Sequence, residues 1–499
     1  MSRYILTHDL GTSGNKATLY NFEGRLEAFK MDNYPTYYPA PNSVEQNPSN
    51  WWESVCKSTK AILKDNNIDP KDIACISFSG QMMGCVLVDN KGEVLRNAII
   101  WADSRSSKQE EFIKAQIDPF KLYHITGHRP TAFYSLAKLL WVKDNEPDIY
   151  QKVYKMLNAK DYIVYQLTGE FVTDYSDAGG TNLFDIQNKC WSQDIIDAVG
   201  INPAILPKLC TSLDAIGNGI SKEAAKATGL LAGTPVILGG GDGSCATVGA
   251  GAVREGDTYI VIGSSSWISK TIRQPVYDPD MKVFNWVTLD PNYYSPNGTM
   301  QTAGYSLSWL KDTLCENDSY DAINAQIAQS PPGANGLLFL PYLLGERSPR
   351  WNANARACFL GMTMTSNKSD MIRSVLEGVG YNLKIILDII DNPKESPSEK
   401  VTAIGGGAKS EIWLQILADI WQKPIEVPEY LEEATSMGAA ICAGTSIGVF
   451  KGFDMIFSCN RPVKTISPNK ENTATYQQMY DLFNRVYDAL EGQFNTWRD

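Results

Sequence analysis

Apolar and polar positions alternate along the first thirty residues in a pattern that predicts strands. Residues 4–10 (YILTHDL) are rich in β-formers, Gly11-Thr12-Ser13-Gly14 turns, residues 15–22 are β-rich again, and Glu23-Gly24 turns into residues 25–31. That order predicts a meander of three antiparallel strands. Helical spacing follows over residues 51–65, then a strand at 72–80 and a shorter one at 84–90. The alternation of strands and helices predicts a mixed α/β class.

The opening pattern recurs. Residues 257–272 (DTYIVIGSSSWISKTI) again place a small polar turn between two strand-like runs. Aligning Gly11 with Gly263 sets Thr12-Ser13 over Ser264-Ser265, and Val261 stands where the first copy has Asp9. Two halves built on one template are expected, divided near residues 250–256 into 1–252 and 253–499. Further on, a strand-like run at 401–404 ends in Gly405-Gly406-Gly407, and Ile412, Trp413, Ile416 and Ile420 share one helical face. The run from 471 to 494 carries Tyr476, Met479, Tyr480, Phe483, Val486, Tyr487 and Leu490 at helical spacing, which predicts a packing helix.

Composition narrows the chemistry. At 499 residues the chain exceeds one core, and two or three domains are expected. A formal net charge of −11, with no Lys/Arg-rich stripe, argues against a nucleic-acid surface. Any phosphate must then be held locally, by backbone N–H groups, a metal and a few cations. Ten scattered cysteines without a CxxC pair predict free thiols rather than zinc or disulfides, and three histidines leave little material for His-based chemistry. No signal-peptide pattern and no apolar run near 18 residues occur, so a cytoplasmic protein without a membrane span is expected. The sequence leaves the oligomeric state open, a homodimer being one option.

Three Gly/Ser/Thr loops, at 11–14, 263–266 and 405–407, are candidates for phosphate contact. Turns of this kind expose backbone N–H groups, hydroxyls add donors, and the third loop precedes a helix N-terminus. Each loop taken alone is better read as a simple turn; it is the three together that point to phosphate. No GxxxxGK[ST] run exists, and no GxGxxG follows the first strand. Asp9, beside the first loop, could hold Mg²⁺ or could accept turn N–H bonds. Asp242 lies among Gly239, Gly240, Gly241 and Gly243, where another molecule can approach the backbone. It is read either as a general base in phosphoryl transfer or as a turn aspartate. Gln81, Trp101, Asp103 and Arg105 suit a polyhydroxylated ligand; the plainer alternative is a hairpin with an Asp103–Arg105 salt bridge.

The chain resembles the FGGY family of carbohydrate kinases nearly end to end. Residues 133–145 (FYSLAKLLWVKDN) match its first signature through Ser135, Lys138 and Trp141, and residues 357–377 match its second through Gly361, Asp370 and Glu377. The resemblance implies two actin-like, ribonuclease H-like domains with an active-site cleft between them. It implies ATP and Mg²⁺ as cofactors, and a sugar as the second substrate. By similarity Asp9 holds the metal, Thr12, Ser13, Gly263 and Ser264 meet the β/γ-phosphates, and Gly406, Gly407 and Ala408 lie along the nucleotide. Asp242 is the base; Gln81, Met82, Met83, Trp101 and Asp103 stand with it on the sugar side. The first half is thereby the sugar-binding one and the second the nucleotide-binding one.

Stretches 44–52, 171–181, 340–351 and 405–424 are most similar to the branch that phosphorylates D-xylulose to its 5-phosphate. Two residues depart from that branch: Met83 stands where a histidine is usual, and Gly243 follows Asp242 where an amide is usual. Gly243 and Trp101-Ala102-Asp103-Ser104-Arg105 are similar instead to gluconate kinases of the family. Other ketoses or polyols are further alternatives. A non-sugar actin-fold ATPase is opposed by the two signatures, and a non-catalytic sugar sensor by the presence of both Asp9 and Asp242.

Overall fold

The computed structural model describes residues 3–316, 318–391 and 396–496. The first half is built on five strands: β1 (Tyr4–Leu10), β2 (Gly14–Asn21), β3 (Leu26–Asn33), β4 (Ile73–Gly80) and β5 (Gly240–Gly241). They lie in the order β5-β4-β1-β2-β3. The meander expected from the alternation is present: β1 and β2 pair antiparallel, as do β2 and β3, while β4 joins β1 in parallel.

Among the described residues, the main sheet of the second half has seven strands: β6 (Thr258–Ile262), β7 (Ser266–Lys270), β8 (Phe284–Val287), β9 (Tyr294–Met300), β10 (Val401–Ile404), β11 (Ile425–Pro428) and β12 (Pro462–Ile466). Their order is β8-β9-β7-β6-β10-β11-β12. Its middle repeats the first sheet. A hairpin, β6–β7, is extended by an antiparallel strand on one side and by a parallel strand on the other. Both hairpins close over three residues, 11–13 and 263–265, so the sequence register between Gly11 and Gly263 is also the register of the two sheets.

The β-rich run ending at Gly241 forms only two residues of regular strand, although Val236 bridges Ile76 in parallel beside it. The cause is Gly239, at φ +67°, where a Cβ would collide with the Phe78 carbonyl oxygen. The backbone kinks there and delivers Gly240 and Gly241 to the end of β4.

Seven helices matter for the site: α1 (Pro48–Asp65), α2 (Ser135–Asn145), α3 (Asp242–Gly249), α4 (Lys368–Ile390), α5 (Glu411–Trp421), α6 (Ala434–Ser446) and α7 (Thr473–Phe494). The expected apolar faces are buried. Trp413, Ile416 and Ile420 of α5, and Tyr476, Met479, Phe483, Val486 and Tyr487 of α7, all enter the core of the second half. Helix α6 crosses the division between halves: Met437 and Ile441 pack in one cluster with Ile5 and Tyr20 of the first sheet and Cys245 and Val248 of α3. A Cβ on Gly249 would overlap the Ala434 carbonyl oxygen and one on Gly438 that of Cys245, so α3 and α6 touch backbone to backbone. No helix among the described residues is long and apolar enough to cross a membrane.

Candidate active site

The first hairpin is a built loop. Gly11 N–H donates to the Gly14 carbonyl at 3.0 Å, and Gln46 Nε2 donates to the Thr12 carbonyl at 2.6 Å. Trp101 Nε1 donates to Thr12 Oγ1 at 2.8 Å, tying the loop to another segment of the same half. Asp9 leaves β1 half-buried, with Ser79 Oγ donating to its Oδ1 at 2.9 Å. Burial pushes its pKa up, while the Ser79 bond and the charge of Lys16 pull it back.

Asp242 opens α3, directly after β5. Its carboxylate accepts from Gly243 N–H at 2.7 Å and faces the cleft. Burial, and then the negative charge of Asp9, push its pKa up to about 7. The helix it starts is fastened to the second half: Tyr259 Oη donates to the Gly243 carbonyl at 3.1 Å and Ser244 Oγ to the Val287 carbonyl at 2.9 Å. Behind β5, Ser176 Oγ accepts from Gly241 N–H at 2.9 Å and in turn donates to Asp174 Oδ2 at 2.5 Å. A buried group thus fixes the backbone on which Asp242 stands.

Asp242 lies in the wall of a cavity of about 190 Å³ shared by both halves. Thr12, Met82, Met83 and Trp101 come from the first half, and Ser265, Trp267, Trp286 and Arg347 are among those from the second. Three residues of the sequence-assigned sugar and phosphate sets are not brought to it. Gln81 is buried and donates to Gln46 Oε1 at 2.8 Å, supporting the Thr12 loop from behind. Asp103 is fully buried and pairs with Arg105 at 2.7 Å while accepting from Val44 N–H at 2.6 Å, so the hairpin salt bridge is the arrangement the chain adopts. Ser13 is exposed and lines neither this cavity nor the larger one described next.

A larger cavity, about 590 Å³, opens between the second hairpin and the third glycine loop. Gly263, Ser264, Gly406 and Gly407 line it, together with Tyr320, Asn324 and Lys409. Ala408, assigned with them, is turned into the core of the second half instead. Gly407 packs so tightly on Ile262 that a Cβ would collide with its side chain, which keeps the β10–α5 turn low against β6.

The signature residues do structural tasks beside these cavities. Lys138 Nζ, fully buried, donates to the carbonyls of Met83 (2.7 Å) and Phe133 (2.6 Å), and Ser135 Oγ donates to that of Gly84 at 2.7 Å. They hold the 82–84 turn, where Met83 sits at φ +62°. Burial lowers the Lys138 pKa to about 7. In the second signature Glu377 accepts from Arg373 Nε at 2.7 Å, Gly333 N–H at 3.0 Å and Tyr476 at 3.1 Å, bracing α4 against α7. Sequence reasoning missed Gln46, Trp267, Trp286 and Arg347. Arg347 lay within a stretch already singled out, but no spacing marked it as facing the cleft.

The donors also fit a divalent cation. Two carboxylates lie close enough for the charge of Asp9 to act on Asp242, and Lys16, whose charge acts on Asp9, is engaged by the Glu432 carbonyl and the Glu433 carboxylate. Among the described residues no trio of His, Cys, Asp or Glu is gathered as a protein cage. An acceptor set this small suits Mg²⁺, which keeps several waters and takes phosphate oxygens for the rest.

Two ribonuclease H-like sheets with facing hairpins, a small polar–aromatic cavity under them and a nucleotide-sized one beside it define a two-domain phosphotransferase. The family models for the N-terminal and C-terminal domains of FGGY carbohydrate kinases match residues 4–249 and 258–447. The chain belongs to the FGGY family of carbohydrate kinases. It is 36% identical to a xylulose kinase of Bacillus subtilis, with 97% of each chain covered. It is 31% identical to a gluconokinase of the same organism over all of this chain and 98% of the other. The solved xylulose kinase of Lactobacillus acidophilus superposes with a TM-score of 0.94 at 29% identity, covering 99% of this chain and 100% of that one.

Proposed function

We propose that this kinase transfers the γ-phosphoryl group of ATP to the terminal hydroxyl of an open-chain pentulose, D-xylulose giving D-xylulose 5-phosphate. The observation carrying this reading is the position of Asp242, in the wall of a polyol-sized cavity between two hairpins and poised near neutral pH. In the mechanism the sugar hydroxyl lies against Asp242, which accepts its proton as the oxygen attacks the γ-phosphorus in line. N–H and hydroxyl groups of the loops at Thr12 and at Gly263-Ser264 stabilise the charge on the transferring group. Gly406 and Gly407 give the nucleotide a close approach to the backbone in the larger cavity. Mg²⁺ held at Asp9 supplies charge neutralisation on the phosphates when bound. In this scheme residues 1–252 bring the base and the metal ligand, and residues 253–499 bring the nucleotide site.

A second reading, gluconate as acceptor, is favoured by the cavity itself: Met83 presents a thioether where an imidazole would donate to a ketose, and Gly243 offers no side-chain amide. A panel of D-xylulose, D-ribulose, xylitol and gluconate in an ADP-release assay separates the two. The highest kcat/KM for D-xylulose is expected. A clear preference for gluconate overturns the choice of sugar, and ATP hydrolysis unstimulated by any sugar overturns the sugar-kinase mechanism.

A further inference from the structure

Arg347 is the outlier among the residues of the smaller cavity. It comes from the second half, on the loop after the short strand Leu338–Leu340, and reaches the wall that holds Asp242, Trp101 and Met83. Its Nε is buried without a hydrogen-bond partner. Among the described residues no carboxylate lies within ion-pair distance of its guanidinium, which lies 5.6 Å from the centroid of the Phe133 ring. The charge of the adjacent Glu346 favours the guanidinium without forming an ion pair with it. Glu346 spends its carboxylate on backbone N–H groups of Gln301 (2.7 Å) and Arg347 (2.9 Å) and on Asn382 Nδ2 (2.9 Å), which fixes the loop rather than the guanidinium. Arg129 lies nearby: it stacks on Trp351 at 4.4 Å, has no ion-pair partner among the described residues, and acts with Arg347 on the Tyr134 hydroxyl. Burial lowers the pKa of both.

A half-buried guanidinium whose buried Nε lacks an acceptor is costly, and it persists where something else supplies one. The cavity is too small for a second ligand beside the sugar. The phosphorylated hydroxyl belongs at Asp242, so a cation elsewhere in the same wall meets oxygens further along the same molecule. We propose that Arg347 is a specificity-determining residue that binds the end of the acceptor remote from the transferred phosphoryl group, donating to an electron-rich oxygen there. That oxygen is the C2 carbonyl of a ketose or the carboxylate of an aldonate. The inference rests on the sugar-kinase mechanism above and adds to it a contact from the second half, so that the acceptor itself bridges the cleft.

The test uses the full chain with Arg347→Met and Arg347→Lys, and reads KM for the acceptor, KM for ATP and the thermal midpoint. The three cavity tryptophans, Trp101, Trp267 and Trp286, give a second readout, because a sugar bound against them without ATP should change their fluorescence. Arg347→Met should raise the acceptor KM at least tenfold and weaken fluorescence-detected binding equally, with the ATP KM within twofold; Arg347→Lys should recover part of the loss. Comparison of D-xylulose with xylitol, which lacks the carbonyl, and of both with gluconate identifies the oxygen: the penalty falls on the acceptor that carries it. Acceptor and ATP KM rising together, or acceptor binding unchanged in Arg347→Met, overturns the inference. Wild-type enzyme that phosphorylates no sugar overturns the underlying mechanism instead, and the binding titration still reports on Arg347.

Discussion

Asp9, near the end of β1, and Asp242, at the start of α3, are electrostatically coupled: the charge of Asp9 helps raise the pKa of Asp242 to about 7. Desolvation is the larger cause and Asp9 the second. A carboxylate held near neutrality is suited to exchanging a proton with a hydroxyl at physiological pH. Carboxyl-carbon NMR should find Asp242 titrating near 7 in the free protein. Asp9→Asn, or Mg²⁺ bound beside Asp9, should move that titration to lower pH, and an unmoved Asp242 would show that the two carboxylates are not coupled.

The same shift has a stability consequence of definite sign. The folded pKa of Asp242 lies above its unfolded value of 3.8, so folding favours the protonated form. The stability this contributes is complete below about pH 4 and is lost as pH rises through about 7. Asp242→Asn cannot ionise, so its thermal midpoint should exceed that of the wild type increasingly between about pH 4 and 7, and by a constant margin above. The full margin is on the order of a few kcal/mol at most. A midpoint difference independent of pH contradicts the assignment.

The crossing of α3 and α6 predicts a coupling between packing and turnover. Gly438→Ala would press a methyl into the Cys245 carbonyl and Gly249→Ala one into that of Ala434. Either should destabilise the protein by about 1–3 kcal/mol, as overpacking does. Because α3 begins with Asp242, kcat should fall as well. Thermal denaturation and steady-state kinetics on both variants check this; unchanged stability would mean that the helices separate without strain.

Lys138 offers a contrasting case, since it lines neither of the two cavities. Lys138→Met removes its bonds to the Met83 and Phe133 carbonyls, which frees the 82–84 turn. Hydrogen bonds of this charged, buried type contribute about 1.5–3 kcal/mol each. Acceptor KM should rise about tenfold or more while the ATP KM changes little. A rise confined to the ATP KM would show that the signature serves the nucleotide instead.

Much of this was legible in the sequence because periodicity and turn chemistry are local. The strand–Gly11-Thr12-Ser13–strand pattern specified a hairpin, and its echo at Gly263 specified a second sheet of the same order. The apolar faces of α5 and α7 were likewise readable from spacing alone. What local pattern does not carry is which side of a turn a side chain takes. Gln81 and Asp103 looked like sugar ligands because they are polar groups close in sequence to Met82 and Trp101, yet both point inward to Gln46 and Arg105. Ala408 follows two cavity glycines but turns into the core with the first turn toward α5. Arg347 and Trp286 join the cavity from strands and loops more than a hundred residues beyond Trp101, a juxtaposition that only the folded chain contains.

The central claim is that Asp242 accepts the hydroxyl proton during phosphoryl transfer, and Asp242→Asn tests it most directly. The substitution keeps the shape of the side chain and removes its basicity. Under saturating ATP and sugar, kcat should fall at least about a hundredfold, with ATP and sugar still binding by tryptophan fluorescence. An Asp242→Asn enzyme that binds both substrates and turns over at a rate near that of the wild type contradicts the account.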